Sequence, residues 1–170
     1  VNPPNLLSLL RIVLLPFILL SLKNGWDGLL LALMLAAAAT DFFDGLLARR
    51  LGMVTELGRI LDPVADKVCL NSMAVALALW RDFPWWATGL IVGRDALILM
   101  GALVWMRRAG AVPVSNWPGK AAVTFLAGAI VCYAMRWQPW GRFILLAGIL
   151  LAAVSGAFYL AGLIKRMRAA

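Results

Sequence analysis

Apolar residues fill six long blocks of the chain, about 6–22, 28–49, 61–80, 86–106, 117–135 and 141–164. Each is near the ~20 residues that an α-helix needs to cross a bilayer. The breaks are polar or carry Pro, Gly or Trp: "KNGWD", "RRLGMVTELGR", "WRDFPWW", "RRAGAVPVSNWPGK" and "RWQPWG". The pattern predicts an all-α polytopic membrane protein of six transmembrane helices, in one domain over residues 1–170. No repeat, low-complexity tract or linker interrupts it. All eight tryptophans fall near block ends, as an interfacial aromatic belt requires. The first block, "LLSLLRIVLLPFILLSL", holds Arg11 and is followed by no A-x-A cleavage pattern, so it is expected to be a first membrane helix and not a signal peptide. Pro16 inside it is tolerable as a kink in a membrane helix.

Composition agrees. Of 170 residues, 64% are hydrophobic and 14% charged, and the mean hydropathy is +0.90. Ordinary soluble domains are about half apolar. Histidine is absent, which excludes His-based metal sites, Ser-His-Asp triads and Cys-His pairs. Cys69 and Cys132 lie in apolar blocks and are expected to be buried small residues, neither a disulfide nor a metal site. The net charge of +8 is distributed unevenly. Arg49, Arg50, Arg59, Arg107, Arg108, Lys120, Lys165, Arg166 and Arg168 make nine cations on one side; Lys23, Arg81, Arg136 and Arg142 make four on the other. The positive-inside rule places the nine, and both termini, in the cytoplasm. The excess then suits anionic lipid headgroups and anionic substrates; no basic soluble module is present for nucleic acid.

The segment "TDFFDGLLARRLGMVTELGRILDPVADK" (residues 40–67) concentrates charge between two apolar blocks. Asp44 lies nine residues before Met53 and Asp62 nine after; Asp41 lies twelve before and Asp66 thirteen after. In a pair of antiparallel helices the four carboxylates reach two matched depths just below the cytoplasmic surface. Asp41 and Asp44 share a face at i, i+3, and Asp62 and Asp66 at i, i+4. Such acids either take up protons or are held by cations. Oxygen-only ligation selects hard ions such as Mg²⁺, Mn²⁺ or Ca²⁺, and two divalent ions about 4 Å apart match four aspartates in charge. A purely structural set of ion pairs with Arg49, Arg50 and Lys67 is the plainer alternative, weakened by the number of acids at matched depth. Gly45, Ala48 and Gly58 keep bulk away from the acids, and Arg49 offers a fork of donors to a phosphate. Close helix packing is the usual role of such small residues; together with the acids and Arg49 they describe a diphosphate site.

These residues resemble the signature of the CDP-alcohol phosphotransferase family, D-x2-D-G-x2-A-R-x8-G-x3-D-x3-D, matched without departure by Asp41, Asp44, Gly45, Ala48, Arg49, Gly58, Asp62 and Asp66. The resemblance implies a six-span enzyme, a homodimer, that transfers the phosphatidyl group of CDP-diacylglycerol to an acceptor hydroxyl and releases CMP. It implies two divalent ions, Mg²⁺ or Mn²⁺, on Asp41, Asp44, Asp62 and Asp66, with Asp66 also the general base. It implies that Asp41, Gly45, Ala48, Arg49 and Gly58 hold the CDP moiety, joined by Asn5, for which a helix N-cap is the competing role. The active site then faces the cytoplasm, and a bacterial inner membrane is the expected location.

"NPPNLLSLLRI" and "LDPVADK" resemble the branch that makes phosphatidylglycerophosphate or cardiolipin. The acceptor is expected to be glycerol 3-phosphate. "GRDALIL" is closer to the CMP-forming branch that uses phosphatidylglycerol, which stays as the alternative. Arg11, Arg94 and Lys120 are the candidates to meet an acceptor phosphate, since cations in apolar spans need a reason. Pairing with Asp95 competes for Arg94, and an interfacial positive-inside role competes for Lys120. Gly89 and Gly93 form a small-xxx-small pair for a second protomer or a neighbouring span. Two other classes compete. A membrane prenyltransferase keeps its Asp motifs far apart and has more spans. A cation or proton carrier places acids at mid-bilayer, open to both sides.

Overall fold

The computed structural model describes the backbone of residues 3–51, 56–109 and 117–168, and the side chains of 9–40, 64–97, 100 and 117–158. Among the described residues there are six α-helices and no strand: α1 (Pro3–Asn24), α2 (Asp27–Leu51), α3 (Glu56–Trp80), α4 (Trp85–Ala109), α5 (Trp117–Ala134) and α6 (Trp140–Arg168). Every apolar block is a helix, and most run a few residues past the block. Charged ends extend several of them, because backbone hydrogen bonding does not stop where side chains turn polar. Two stretches, Trp117–Ala134 and Trp140–Phe158, are long and apolar enough to cross a membrane, and Asp27–Thr40 is a shorter apolar stretch. The large apolar side chains Phe17, Leu35, Leu97, Leu150 and Phe158 are exposed, as lipid-facing positions are. Trp26, Trp80, Trp85, Trp86, Trp117, Trp137 and Trp140 are exposed at or beside helix ends.

Contacts divide the chain into two compact units, Val1–Ile91 and Val92–Ala170, the division falling inside α4. In the first unit, α1 packs against both α2 and α3. Its buried residues Arg11, Leu15, Ile18 and Leu22 are spaced four, three and four apart, one continuous stripe of a helix. The α1–α2 turn is closed by Gly25 at φ +73°. The Gly25 amide donates to the Leu22 carbonyl at 3.3 Å and the Trp26 amide to Ser21 at 3.0 Å. This pair of bonds satisfies two helix-end carbonyls and needs the left-handed conformation that glycine adopts freely. After α3, Asp82 takes the left-handed position at φ +54°, the Phe83 amide reaches back to the Leu77 carbonyl, and the Phe83 ring is buried. The Thr88 hydroxyl of α4 donates to the Ala74 carbonyl of α3 at 3.3 Å.

In the second unit, α5 and α6 pair through complementary stripes. On α5 the buried face includes Gly119, Ala122, Leu126, Ala129 and Tyr133; on α6 it includes Gly141, Leu145, Gly148 and Ser155. A Cβ on Gly148 would stand 3.2 Å from the Leu126 backbone nitrogen, and one on Gly141 would stand 3.0 Å from the Tyr133 ring. The contact moves seven residues forward on one helix and seven back on the other, so the two run antiparallel in constant register. Small residues let the backbones approach this closely. Arg136, at φ +57°, turns the chain between them: its amide donates to the Tyr133 carbonyl, and that of Trp137 to Cys132.

Candidate active site

The α1 stripe ends in a cation. Arg11 occupies a position that Leu15, Ile18 and Leu22 fill with aliphatic groups, and its side chain is 6% exposed. A guanidinium withdrawn from water needs a counter-charge close by. It has one: Arg11 Nη1 forms an ion pair with Asp66 Oδ1 of α3, a carboxylate 50% exposed. The neighbouring Ala65 is fully buried and the Cys69 thiol contacts the Arg11 carbonyl at 3.9 Å. Residues 65–69 of α3 therefore sit against residue 11 of α1. The pair joins two residues that the sequence assigned separate roles, Asp66 as base and metal ligand and Arg11 as acceptor contact. The sign of it in the sequence was the spacing, which puts Arg11 in phase with the buried stripe.

The backbone places the rest of the signature on helices. Asp41, Asp44, Gly45, Ala48 and Arg49 lie in α2, and Gly58 and Asp62 lie in α3 one turn or more before Asp66. The shared faces expected at i, i+3 and i, i+4 follow from that helical backbone. Their side chains, like that of Asn5, lie outside the described residues, and so does the convergence of the four carboxylates. Asn5 is the third residue of α1, inside the helix and not at its N-cap; Pro3 and Pro4 open the helix, where their missing amides cost nothing.

In the second unit, Arg94 Nη1 contacts Asp95 Oδ1 at 3.3 Å, with Asp95 the more buried of the two. This is the local pairing that competed with an acceptor role for Arg94. Lys120 is exposed in the first turn of α5. Gly89 and Gly93 are exposed on α4, and a Cβ at either would meet nothing within 4 Å. Both cysteines are free; Cys132 is buried. Cys69, expected to be buried, is only partly so; its thiol contacts the Arg11 carbonyl of α1.

The donors available for a cation are all carboxylate oxygens, with no imidazole anywhere in the chain. That set fits hard divalent ions. Asp66 is the acid of the four with a described side chain, and its partial exposure leaves it open to a ligand as well as to Arg11.

A family model described as CDP-alcohol phosphatidyltransferase matches residues 1–158. A "Probable phosphatidylglycerophosphate synthase" of Mycobacterium tuberculosis is 36% identical, over 94% of this chain and 80% of its own length. Two proteins named "CDP-diacylglycerol--glycerol-3-phosphate 3-phosphatidyltransferase" are also similar. That of Pectobacterium atrosepticum is 41% identical over 81% of this chain and 78% of its own. That of Salmonella choleraesuis is 36% identical over 99% of this chain and 94% of its own.

Proposed function

The chain belongs to the CDP-alcohol phosphatidyltransferase family, and from that premise we infer that it transfers the phosphatidyl group of CDP-diacylglycerol to glycerol 3-phosphate, releasing CMP and forming phosphatidylglycerophosphate. The observation that carries this is the complete Asp41–Asp66 signature in a chain alike, over most of its length, to relatives named for that reaction. The prenyltransferase and carrier readings give way to the family membership.

Asp66 accepts the proton of the acceptor hydroxyl. The freed oxygen bonds to the phosphatidyl phosphorus, and the phosphorus–oxygen bond to CMP breaks, with CMP as leaving group. Arg49 binds the diphosphate through its guanidinium fork, Gly45, Ala48 and Gly58 let the CDP moiety lie against the backbone, and Asn5 meets the nucleotide. Two divalent ions, Mg²⁺ or Mn²⁺, held by Asp41, Asp44, Asp62 and Asp66, supply charge neutralisation of the diphosphate when bound. Arg11, Arg94 and Lys120 are the cations proposed for the acceptor phosphate. The protein is proposed to span a bacterial inner membrane six times as a single domain and as a homodimer, termini and active site cytoplasmic. The Lys and Arg asymmetry supports that orientation.

Phosphatidylglycerol is the second acceptor to weigh, because "GRDALIL" carries Asp95 after Arg94. Incubating the purified protein with CDP-diacylglycerol and Mg²⁺ alongside glycerol 3-phosphate, phosphatidylglycerol, inositol phosphate or serine separates these by product mass. Phosphatidylglycerophosphate is expected; cardiolipin as the main product would transfer the assignment to the second acceptor.

A further inference from the structure

Two ion pairs of the first unit, Arg11–Asp66 and Arg81–Asp27, bury the arginine and leave the acid half-exposed. In the second unit the order is reversed. The Asp95 side chain is 8% exposed and the Arg94 side chain 23%, so the acid lies inside and the cation is the member presented outward. We propose that Asp95 is a positioning residue that holds the Arg94 guanidinium in place for the phosphate of the acceptor. The inference rests on the acceptor role proposed above for Arg94 and deepens it.

Adjacent side chains on a helix point about 100° apart and do not face each other. The contact of 3.3 Å between Arg94 Nη1 and Asp95 Oδ1 therefore needs the long arginine side chain to bend round toward its neighbour. The short aspartate is the fixed member, and the flexible arginine is the one that is steered. Arg94 lies nine residues into α4, about 14 Å from its start. That deep in a helix proposed to span a bilayer, a guanidinium is short of water and needs a counter-charge. Asp95 supplies it through a single contact to one nitrogen of the fork. The other donors of Arg94 can then take phosphate oxygens while the pair stays intact. Were Arg94 to leave altogether, a buried carboxylate would be stranded, which is costly. Arg94 thus meets its ligand from within the pair, and Asp95 sets where the guanidinium stands.

The test measures phosphatidylglycerophosphate formed by the purified full chain in detergent with CDP-diacylglycerol and Mg²⁺, over a range of glycerol 3-phosphate concentrations. Arg94→Gln is expected to raise KM for glycerol 3-phosphate by about tenfold or more, the loss of one charge-assisted contact. Asp95→Ala is expected to raise the same KM several-fold, with kcat and the KM for CDP-diacylglycerol changing far less. Removing a negative charge beside an anion's seat would by itself lower KM, so a rise reports lost orientation. Asp95→Glu keeps the charge and the pair and is expected to recover most of the affinity. Added to Arg94→Gln, Asp95→Ala should change KM no further, because it acts through that arginine. Asp95→Asn, which keeps the side-chain volume, is read in the same way if the alanine variant fails to fold. An Asp95 variant with unchanged or lowered KM overturns the positioning role, as does one that loses kcat alone or whose effect adds fully to that of Arg94→Gln. If Arg94→Gln has meanwhile raised KM, the acceptor role of Arg94 stands without Asp95. Arg94→Gln at wild-type KM refutes the acceptor role and the positioning together but leaves the reaction. A wild-type chain that forms no phosphatidylglycerophosphate refutes the reaction itself.

Discussion

The ion pair at the other end of the first unit yields an asymmetric stability prediction. Arg81 Nη2 meets Asp27 Oδ1 at 2.5 Å, with side-chain exposures of 3% for the arginine and 48% for the aspartate. Breaking a fully buried pair by removing one partner costs about 3–5 kcal/mol, and exposed pairs are worth about 0–1 kcal/mol. This pair is half of each, so the two deletions differ. Asp27→Ala strands a guanidinium that water does not reach, and it removes an acid from the first turn of α2, where the helix dipole favours one. A loss of about 2–3 kcal/mol is expected. Arg81→Met removes the buried cation and leaves a carboxylate that solvent stabilises, at a cost of about 1 kcal/mol. The double variant should resemble Arg81→Met alone, making the two changes strongly non-additive. Denaturant titration of the four proteins in one detergent reads this directly. If Asp27→Ala is no worse than Arg81→Met, or if the two losses add, the burial asymmetry is not what governs the pair.

Gly148→Ala puts a methyl 3.2 Å from the Leu126 backbone nitrogen, where the helix itself must move, and is expected to cost about 1–3 kcal/mol. Gly156→Ala on the same helix meets nothing within 4 Å and should be neutral or gain up to about 1 kcal/mol from helix propensity; equal denaturation shifts for the two would contradict the α5–α6 register. Asp66→Asn is expected to remove CMP release and, by taking the counter-charge from the buried Arg11, to lower the thermal midpoint as well; full CMP release from that variant would refute the assigned base. Chelation should stop turnover and Mg²⁺ or Mn²⁺ should restore it, and full activity in excess chelator would rule out the carboxylate-held ions.

The helices were legible because long apolar blocks separated by Pro, Gly and charged breaks mark their extent in the composition alone, and blocks such as 117–135 and α5 (Trp117–Ala134) coincide almost to the residue. Their ends were less so. Charged residues continue α3 back to Glu56 and α6 on to Arg168, since backbone hydrogen bonding does not stop where hydropathy does. The turns were partly readable: Gly25 invites the left-handed cap and Asp82 is a residue type that tolerates that conformation, whereas Arg136 there is a rare choice that no local pattern signals. The signature aspartates were visible as a motif. The Arg11–Asp66 pair was not, because the partners are 55 residues apart and their meeting depends on the register of α1 against α3. Arg94 shows the opposite case, where the neighbouring Asp95 was already a candidate partner in the sequence and is found in contact.

The same register sets two ion pairs of one kind at separate levels of the first unit. Asp66 lies on α3 and Arg81 directly follows its end, and each has an oppositely charged partner on another helix. At the Arg81 end the partner is Asp27, in the first turn of α2, and the backbone around it is closed by the caps at Gly25 and Asp82. Neither side of that pair has a signature residue beside it. At the Asp66 end the buried member is the cation and the half-exposed member is the acid, so the group open to a ligand is the carboxylate. The burial is alike at the two ends, a buried arginine against a half-exposed aspartate; what sets the Asp66 end apart is that its acid belongs to the Asp41–Asp66 signature.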